Sequence, residues 1–337
     1  MNSKIWIGDA FAGLSAMRAS GMVADMCVTS PPYYGLRDYG VSGQIGLEES
    51  PAAYIYRLVE VFRWVREVLA DDGTLWVNIG DSYAGYHGNK NAGYSDAPSN
   101  KSGYFEGQRE STANRHGLKQ KDLIGIPWML AFALRDDGWH LRQDIIWHKP
   151  NPMPESVTDR CTRAHEYIFM FSKKPMYYYD ADAIKEDAVT PVDSKANSWE
   201  RAGKHSSLII PGQGHPQHRK SRPIGGIKME GVSSRHDGNE WENRGVRNKR
   251  SVWDVATKPY KGAHFAVFPP ALITPCILAG SRKGGVVLDP FMGSGTVAEV
   301  ANNTGRLFAG CELNHDNIPL QRDRLGMFAS NCDWIVV

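Results

Sequence analysis

Short apolar runs of strand length alternate with segments of helical spacing at both ends of the chain. Within residues 54–69, Leu58, Phe62 and Val65 recur every three or four positions, and Asp-Asp-Gly at residues 71–73 follows as a stop signal. Strands are predicted over residues 4–7, 24–29, 74–79, 141–147, 167–171, 285–288 and 307–311. Further helices are predicted over residues 126–136, over 272–278 and from about residue 296. This alternation predicts an α/β protein with a mostly parallel, doubly wound sheet.

Two polar segments interrupt the pattern. Residues 83–120 are rich in Gly, Asn, Ser and Lys, and we interpret them as a long loop, with or without a role over the substrate. Residues 185–250 are polar, Gly-rich and basic, with too few aliphatic residues for a core of their own. The predicted divisions are therefore residues 1–184, 185–250 and 251–337. The basic residues of the middle segment include Arg219, Lys220, Arg222, Arg235, Arg244, Arg247, Lys249 and Arg250.

Composition narrows the class of protein without identifying it. The chain has 337 residues, of which 42% are hydrophobic and 23% charged, as expected for a globular protein of about two domains. The five cysteines are scattered, so no Cys-x-x-Cys metal or redox site is predicted. No apolar run approaches the roughly 20 residues that span a bilayer, and no signal peptide begins the chain. We expect a cytoplasmic protein with no membrane partner and no metal.

A glycine-rich turn follows the apolar strand near residue 288. Asp289 ends this strand, Gly293 and Gly295 allow a tight turn, and Thr296 begins a helix. Glu312, roughly 20 residues on, ends a second strand, where a carboxylate can hold ribose hydroxyls. The pattern predicts a ligand with an adenosine half. The alternatives are an NAD site, a phosphate loop and a plain structural turn. A phosphate loop needs a lysine after its last glycine, and this sequence has none there.

A proline turn, Ser30-Pro31-Pro32-Tyr33, ends another apolar strand. The two prolines stiffen the backbone and remove two amide donors, so a carbonyl and the Ser30 hydroxyl can face one amino group. Tyr33 offers a flat face for a base flipped out of a nucleic acid. An aromatic amine is a poor nucleophile, and accepting its N–H hydrogens favours a tetrahedral, reactive nitrogen. The alternative is a turn that merely ends a strand.

The two motifs together resemble those of the beta group of DNA amino-methyltransferases. Members pair an (Asp/Asn/Ser)-Pro-Pro-(Tyr/Phe) catalytic motif with an Asp-Pro-Phe-x-Gly-x-Gly-Thr cofactor motif. As in this chain, the catalytic motif of the beta group comes first, a variable region follows, and the cofactor motif comes last. The resemblance covers residues 5–325. It implies a Rossmann-like methyltransferase fold with seven mostly parallel strands, one reversed, a circularly permuted motif order and a target-recognition segment at 185–250. It also implies S-adenosylmethionine as cofactor and double-stranded DNA as substrate.

The resemblance assigns residues to both halves of the site. The catalytic residues would be Ser30, Pro31, Pro32 and Tyr33. The cofactor residues would be Asp9, His264, Phe265, Phe268, Pro269, Asp289, Phe291, Gly293, Ser294, Gly295, Thr296 and Glu312. The basic residues of 185–250 would contact DNA phosphates and guanine edges, or else belong to a solvated insertion. Members of the beta group often form homodimers, so a homodimer is one possible state of this chain, and a cognate restriction endonuclease is a possible partner.

Several alternatives remain open at this stage. An RNA or small-molecule aminomethylase could use the same turn, and a silent DNA-binding module could keep the fold. Cytosine N4 and adenine N6 are equally compatible with the sequence. Asp81 either assists at the amine or caps a loop, and Lys149 either contacts a phosphate or lies in solvent. Cys276 follows a proline, but its apolar helical surroundings favour a buried core cysteine over a nucleophile.

Overall fold

The computed structural model describes residues 2–36, 38–84, 118–119, 121–188, 246–257 and 268–337. Six α-helices lie in these ranges: α1 (Ala10–Ala19), α2 (Pro51–Val68), α3 (Ile126–Asp136), α4 (Pro270–Gly280), α5 (Thr296–Asn303) and α6 (Ile318–Leu325). The strands are β1 (Ser3–Ile7), β2 (Ala24–Thr29), β3 (Leu69–Ile79), β4 (His140–His148), β5 (His165–Ser172), β6 (Glu186–Asp187), β7 (Val246–Arg247), β8 (Val252–Asp254), β9 (Val286–Asp289), β10 (Leu307–Glu312) and β11 (Cys332–Val336). Short 3-10 helices cover Asp182–Ile184, His315–Asn317 and Gly326–Asn331.

Nine of these strands form one sheet in the order β11-β1-β10-β9-β2-β3-β5-β4-β8. Within the described part of this nine-stranded sheet, the antiparallel pairs are β3 with β5 and β4 with β5, so β5 alone is reversed. The seven inner strands, from β1 to β4 in this order, correspond to the expected seven-stranded sheet. Strands β11 and β8 extend it by one strand at each edge.

Helices cover both faces of the sheet and bury its apolar side chains. On one face α1, α2 and α3 contribute Leu14, Phe62 and Leu134 to the core. On the other face α4, α5 and α6 pack residues such as Ile277 and Val297 against the sheet. This two-sided burial explains why the central strands are continuous apolar runs.

The end of α2 differs from the prediction. The helix ends at Val68, because Leu69 adopts extended backbone angles and already begins β3. The Asp-Asp-Gly sequence at 71–73 therefore lies within β3, next to a register shift between β2 and β3. A stop signal in the sequence coincided here with an irregular strand.

Helix α1 was not predicted. Most of its residues are apolar, so they mark no distinct buried face, and Gly13 lies inside it. A Cβ atom at Gly13 would lie 2.4 Å from Cys311 Sγ, so the glycine permits close packing of α1 on β10. A short helix whose glycine has a packing role gives a weak periodic signal.

The chain divides into two compact units, Met1–Ile184 with Lys249–Val337, and Lys185–Asn248. In the second unit the described residues include the antiparallel pair β6–β7, where Glu186 is opposite Arg247. In the parts of the chain that the structure describes, no helix has the length and apolarity needed to cross a membrane.

Candidate active site

The proline turn and the glycine turn meet at the carboxyl ends of neighbouring strands. Strands β2 and β9 pair in parallel, with Cys27 opposite Leu288, so the turns that follow them lie side by side. The Thr29 hydroxyl donates to Asp289 Oδ1 at 2.6 Å and ties the two turns together. Ligands of open α/β sheets bind at this edge. The structure thus brings together two motifs that are about 260 residues apart in the chain.

One pocket collects most of the predicted site residues. All four residues of the proline turn line it. So do eight residues expected at the cofactor: Asp9, Phe268, Asp289, Phe291, Gly293, Ser294, Thr296 and Glu312. Pro269 and Gly295 do not line it; Pro269 precedes α4, and Gly295 shapes the turn from behind. His264 and Phe265 lie outside the described residues.

The glycine turn has the conformation that its sequence requires. Gly293 and Gly295 adopt φ values of 53° and 86°, which other residues rarely take. The Phe291 amide donates to Asp289 Oδ1 at 3.0 Å, and Gln321 Nε2 donates to the Gly293 carbonyl at 2.8 Å. The Thr296 hydroxyl is buried and has no hydrogen-bond partner among the described residues. A buried polar atom left in this state at a pocket wall fits a ligand that supplies the missing bond.

Three acidic residues surround the same end of the pocket. Asp9 caps α1 by accepting from the Ala12 amide at 2.9 Å. Burial raises the pKa of Asp289 to about 7, although its hydrogen bond from Thr29 opposes this rise. Burial likewise raises the pKa of Glu312 to about 7, against the hydrogen bond from the Asn314 amide. Such carboxylates suit a ligand that carries positive charge and hydroxyl donors.

The proline turn is held from behind by α2. The Tyr54 hydroxyl, on that helix, donates to the Pro32 carbonyl at 2.7 Å. The loop that follows the turn is closed by the Gly35 amide, which donates to the Gly46 carbonyl at 2.8 Å. The turn therefore has a fixed shape, and the carbonyl of Pro32 is already occupied.

Tyr33 is clamped at its edge and at its hydroxyl. A Cβ atom at Gly80 would lie 2.7 Å from Tyr33 Cε2, so only glycine at position 80 leaves room for this ring. The Tyr33 hydroxyl donates to Glu166 Oε2 at 2.7 Å. Burial, and next the Glu166 carboxylate, raises the pKa of the Tyr33 phenol well above its ordinary value. The hydroxyl therefore remains a neutral hydrogen-bond donor.

Sequence reasoning missed a second group of pocket residues. The loop after the proline turn adds Leu36, Tyr39, Gln44 and Ile45 to the lining. Neither periodicity nor a motif marks them, and their adjacency to the turn was the available signal. Glu166 was missed for another reason, since it reaches Tyr33 through the pairing of strands distant in sequence.

The predicted DNA-contacting residues fall mostly outside the described residues, namely Arg219, Lys220, Arg222, Arg235 and Arg244. Among the other three, Arg247 Nε lies 2.9 Å from Glu186 Oε1 within the second unit. Lys249 Nζ lies 5.1 Å above the Trp253 ring, and Arg250 accepts a hydrogen bond from Trp253 through its carbonyl. The DNA-binding role of these residues remains a prediction.

Three residues that the sequence left with two interpretations each, Asp81, Lys149 and Cys276, have defined positions in the structure. Asp81 Oδ1 accepts from the Gly125 and Ile126 amides at 2.9 Å each, so this side chain caps α3. Lys149 forms an ion pair with Glu166 and is mostly buried. Cys276 is buried within α4, as expected for a core cysteine.

A sheet with one reversed strand, and a proline turn beside a glycine turn in one pocket, define the class of S-adenosylmethionine-dependent amino-methyltransferases. The chain belongs to the N6/N4 DNA methylase family, which it matches over residues 24–321. It is 44% identical to the Type II methyltransferase M.SmaI of Serratia marcescens, over 96% of this chain and 90% of that protein. It is also 44% identical to the Type II methyltransferase M.Cfr9I of Citrobacter freundii, over 94% and 86% of the two chains.

Solved structures agree with the fold. A putative DNA modification methylase from Thermus thermophilus, TTHA0409, complexed with S-adenosyl-L-methionine, superimposes with a TM-score of 0.55 at 22% identity, over 99% of this chain and 98% of that one. The cytosine-N4-specific PvuII DNA methyltransferase gives a TM-score of 0.54 at 15% identity, over 99% and 95%. The predictions of fold, cofactor and reaction are thus confirmed: the chain is an S-adenosylmethionine-dependent, site-specific DNA methyltransferase that acts on an exocyclic base amine.

Proposed function

We propose that residues 30–33 are the catalytic turn and that Asp9, Phe268, the 289–296 turn and Glu312 hold the cofactor in the same pocket. The observation that carries this assignment is the shared lining of one pocket by both motifs, joined by the bond from Thr29 to Asp289. Methyl transfer needs the amine and the methyl donor within about 3–3.5 Å in line, which a shared pocket permits. His264, Phe265, Pro269 and Gly295 complete the cofactor side by family resemblance.

The proline turn activates the amine by accepting hydrogen bonds from its two N–H groups. Tyr54 occupies the Pro32 carbonyl, whereas the Pro31 carbonyl accepts no backbone hydrogen bond from the described residues. The Ser30 hydroxyl and the Pro31 carbonyl accordingly accept the two N–H hydrogens, and Tyr33 stacks on the flipped base. S-adenosylmethionine, when bound, supplies an electrophilic methyl group on a positively charged sulfur. The turn contributes mainly orientation and electrostatic stabilisation, so its rigidity matters more than any acid or base in it.

The cofactor side of the pocket recognises charge and hydroxyl groups. Glu312 Oε1 is engaged by the Asn314 amide and the Asn317 side chain. The carboxylate also accepts from the Gly293 amide, and we assign its remaining acceptor capacity to the ribose hydroxyls. The buried, unpartnered Thr296 hydroxyl and the amino end of α5 would hold the carboxylate of the cofactor. Asp9 and Asp289 offset the positive charge.

The target base that we propose is cytosine, methylated at N4. The support is Ser30. Within the family a serine at this position is seen often with cytosine N4 enzymes and Asp or Asn more often with adenine N6 enzymes, although serine occurs with adenine too, so the experiment below decides between the two bases. Duplex DNA of mixed sequence should be treated with protein and methyl-labelled cofactor, then digested to nucleosides for mass spectrometry. We expect N4-methylcytosine; N6-methyladenine instead would overturn the choice of base and leave the class of enzyme intact.

The remaining assignments concern partners and the second unit. We propose that residues 185–250 recognise the target sequence, that two copies form a homodimer and that a restriction endonuclease shares the target, as the Type II relatives suggest. An enzyme that modifies chromosomal DNA works in the cytoplasm of a bacterial cell. Plasmid DNA methylated by this protein, challenged with a panel of Type II endonucleases, should resist one specificity; sensitivity to all of them would contradict the endonuclease proposal.

A further inference from the structure

We propose that Glu166, held by Lys149 and Asn78, is a positioning residue that fixes the Tyr33 ring against the flipped base. The inference rests on the proposed function, in which Tyr33 stacks on that base. Glu166 itself touches neither base nor cofactor in this scheme. It acts through the tyrosine hydroxyl.

Both oxygens of the Glu166 carboxylate have defined partners. Oε2 accepts from the Tyr33 hydroxyl at 2.7 Å and from Asn78 Nδ2 at 3.2 Å. Oε1 forms the ion pair with Lys149 Nζ. Asn78 Nδ2 also donates to the Tyr167 carbonyl at 3.2 Å, so the amide is oriented by the backbone of β5. Lys149 and Asn78 thus hold the carboxylate in place independently of its bond to Tyr33.

Three strands bring this group together at the edge that carries the proline turn. Asn78 lies near the end of β3, and Lys149 directly follows β4. Glu166 lies near the beginning of the reversed strand β5, opposite Trp147 of β4. Because β5 runs in the opposite direction, its first residues meet the last residues of its neighbours. The reversed strand therefore places a carboxylate where parallel strands alone would end in turns.

The ion pair is mostly buried, which argues for a role beyond surface charge. The side chains of Lys149 and Glu166 are only 18% and 15% exposed. A buried pair contributes little net stability, since desolvation offsets much of the attraction. Hydrogen bonds to an ionised acceptor are, however, strong and directional, so the pair can hold a phenol accurately.

Gly80 completes the clamp by pressing on the ring. Its absent Cβ atom would lie 2.7 Å from Cε2 and 3.2 Å from Cδ2 of Tyr33. The ring cannot move towards β3 past the Gly80 backbone, and its hydroxyl is held by Glu166. Its other side is left for the base. Loss of Glu166 removes the short bond and leaves the Tyr33 hydroxyl its longer 3.4 Å bond to Asn78 Oδ1 and its side-chain bond with Ser30. The expected effect is therefore misplacement of the ring rather than collapse of the pocket.

A double-mutant cycle tests the inference. Single-turnover methylation is measured for wild type, Glu166→Ala, Tyr33→Phe and the double variant, together with cofactor binding. Each single change should slow methylation by about 10- to 100-fold, the loss expected for one hydrogen bond to a charged group, and leave cofactor affinity nearly unchanged. The double variant should be about as slow as the slower single variant. Glu166→Gln should recover part of the rate, because its amide oxygen can still accept from Tyr33.

Two controls show whether the loss of rate is specific to the bond between Glu166 and Tyr33. Asp72→Asn removes the charge from the 2.7 Å ion pair with Arg282, near the beginning of β3 and away from the proline turn, and should leave the methylation rate unchanged. If Glu166→Ala does not fold, the cycle is repeated with Glu166→Gln, which keeps the volume. If changing Glu166 lowers the methylation rate by the same factor in wild type and in Tyr33→Phe, the positioning role is overturned, whereas the proposed function is not. Full activity of Tyr33→Ala would instead refute the proposed function.

Discussion

The contact between Gly80 and Tyr33 gives the most specific prediction for a single substitution. Gly80→Ala adds one methyl group directly after β3, beside the proline turn. Its Cβ atom would lie 2.7 Å from Tyr33 Cε2, whereas ordinary contacts begin at 3.4 Å. The ring must therefore move by about 0.7 Å, the difference between these distances. Because this ring end also carries the hydroxyl bound to Glu166, the movement strains the 2.7 Å hydrogen bond.

A displacement of this size should act on the rate rather than on cofactor binding. Misplacing a group by about 1 Å at a reacting centre can cost on the order of 100-fold. We expect Gly80→Ala to lower the single-turnover rate of DNA methylation by about 10- to 100-fold. The affinity for S-adenosylmethionine should stay close to that of wild type, since the cofactor residues lie on other strands.

Gly73→Ala is the matched control. Gly73 lies near the beginning of β3, the strand that Gly80 follows, and its added Cβ atom would lie 2.9 Å from the Ala70 carbonyl oxygen, at the other end of the strand from the proline turn. This change should cost about 1–3 kcal/mol of stability, as overpacking does, without slowing methylation at a temperature where the protein is folded. A wild-type methylation rate in Gly80→Ala, or an equal loss of methylation rate in Gly80→Ala and Gly73→Ala, would refute the proposed effect on Tyr33.

Three further predictions follow from hydrogen bonds and buried charges. Tyr54→Phe leaves the Pro32 carbonyl without its donor and should lower the free energy of unfolding, measured in urea, by about 1–3 kcal/mol. Thr29→Val removes a donor from Asp289, whose pKa is already raised to about 7, so the loss of stability should be greater at pH 8 than at pH 5; an equal loss at both would contradict this. Glu312→Gln should weaken cofactor binding at least about 10-fold in calorimetry yet stabilise the free protein above pH 7.

The sign of the last effect follows from the raised pKa of Glu312. A folded-state value of about 7 against an ordinary 4.5 means that the protonated acid stabilises the fold below pH 4.5. This contribution is lost as the pH rises through 7, and the difference between the two pKa values corresponds to about 3 kcal/mol. A glutamine is neutral at every pH and avoids the loss. No gain in thermal stability of Glu312→Gln at pH 8 would show that the buried carboxylate carries no such cost.

The chemistry of this enzyme was predictable where it depends on local sequence. The Ser30–Tyr33 turn and the 289–296 turn each require particular residues in consecutive positions, because prolines and glycines set the backbone there. Both turns end strands whose apolar character is also local. Their meeting in one pocket follows from the parallel pairing of β2 with β9.

The residues that were not predicted depend on contacts between distant parts of the chain. Glu166 reaches Tyr33 because β5 is reversed, and the direction of a strand is not encoded in its own alternation of residues. Helix α1 escaped notice because Gly13, which its packing on Cys311 requires, weakens the helical pattern. The edge strand β8 has three residues, too few for a periodic signal.

The central claim is that one pocket formed by the two turns transfers a methyl group to an amine of DNA. It is tested most directly by following labelled methyl from S-adenosylmethionine into duplex DNA with wild type, Ser30→Ala and Tyr33→Ala, while cofactor binding is measured in parallel. We predict label on an exocyclic base amine with the wild type and a loss of at least about 100-fold in both variants, with cofactor affinity retained. Undiminished labelling by both variants, or label that enters only RNA, would contradict the account.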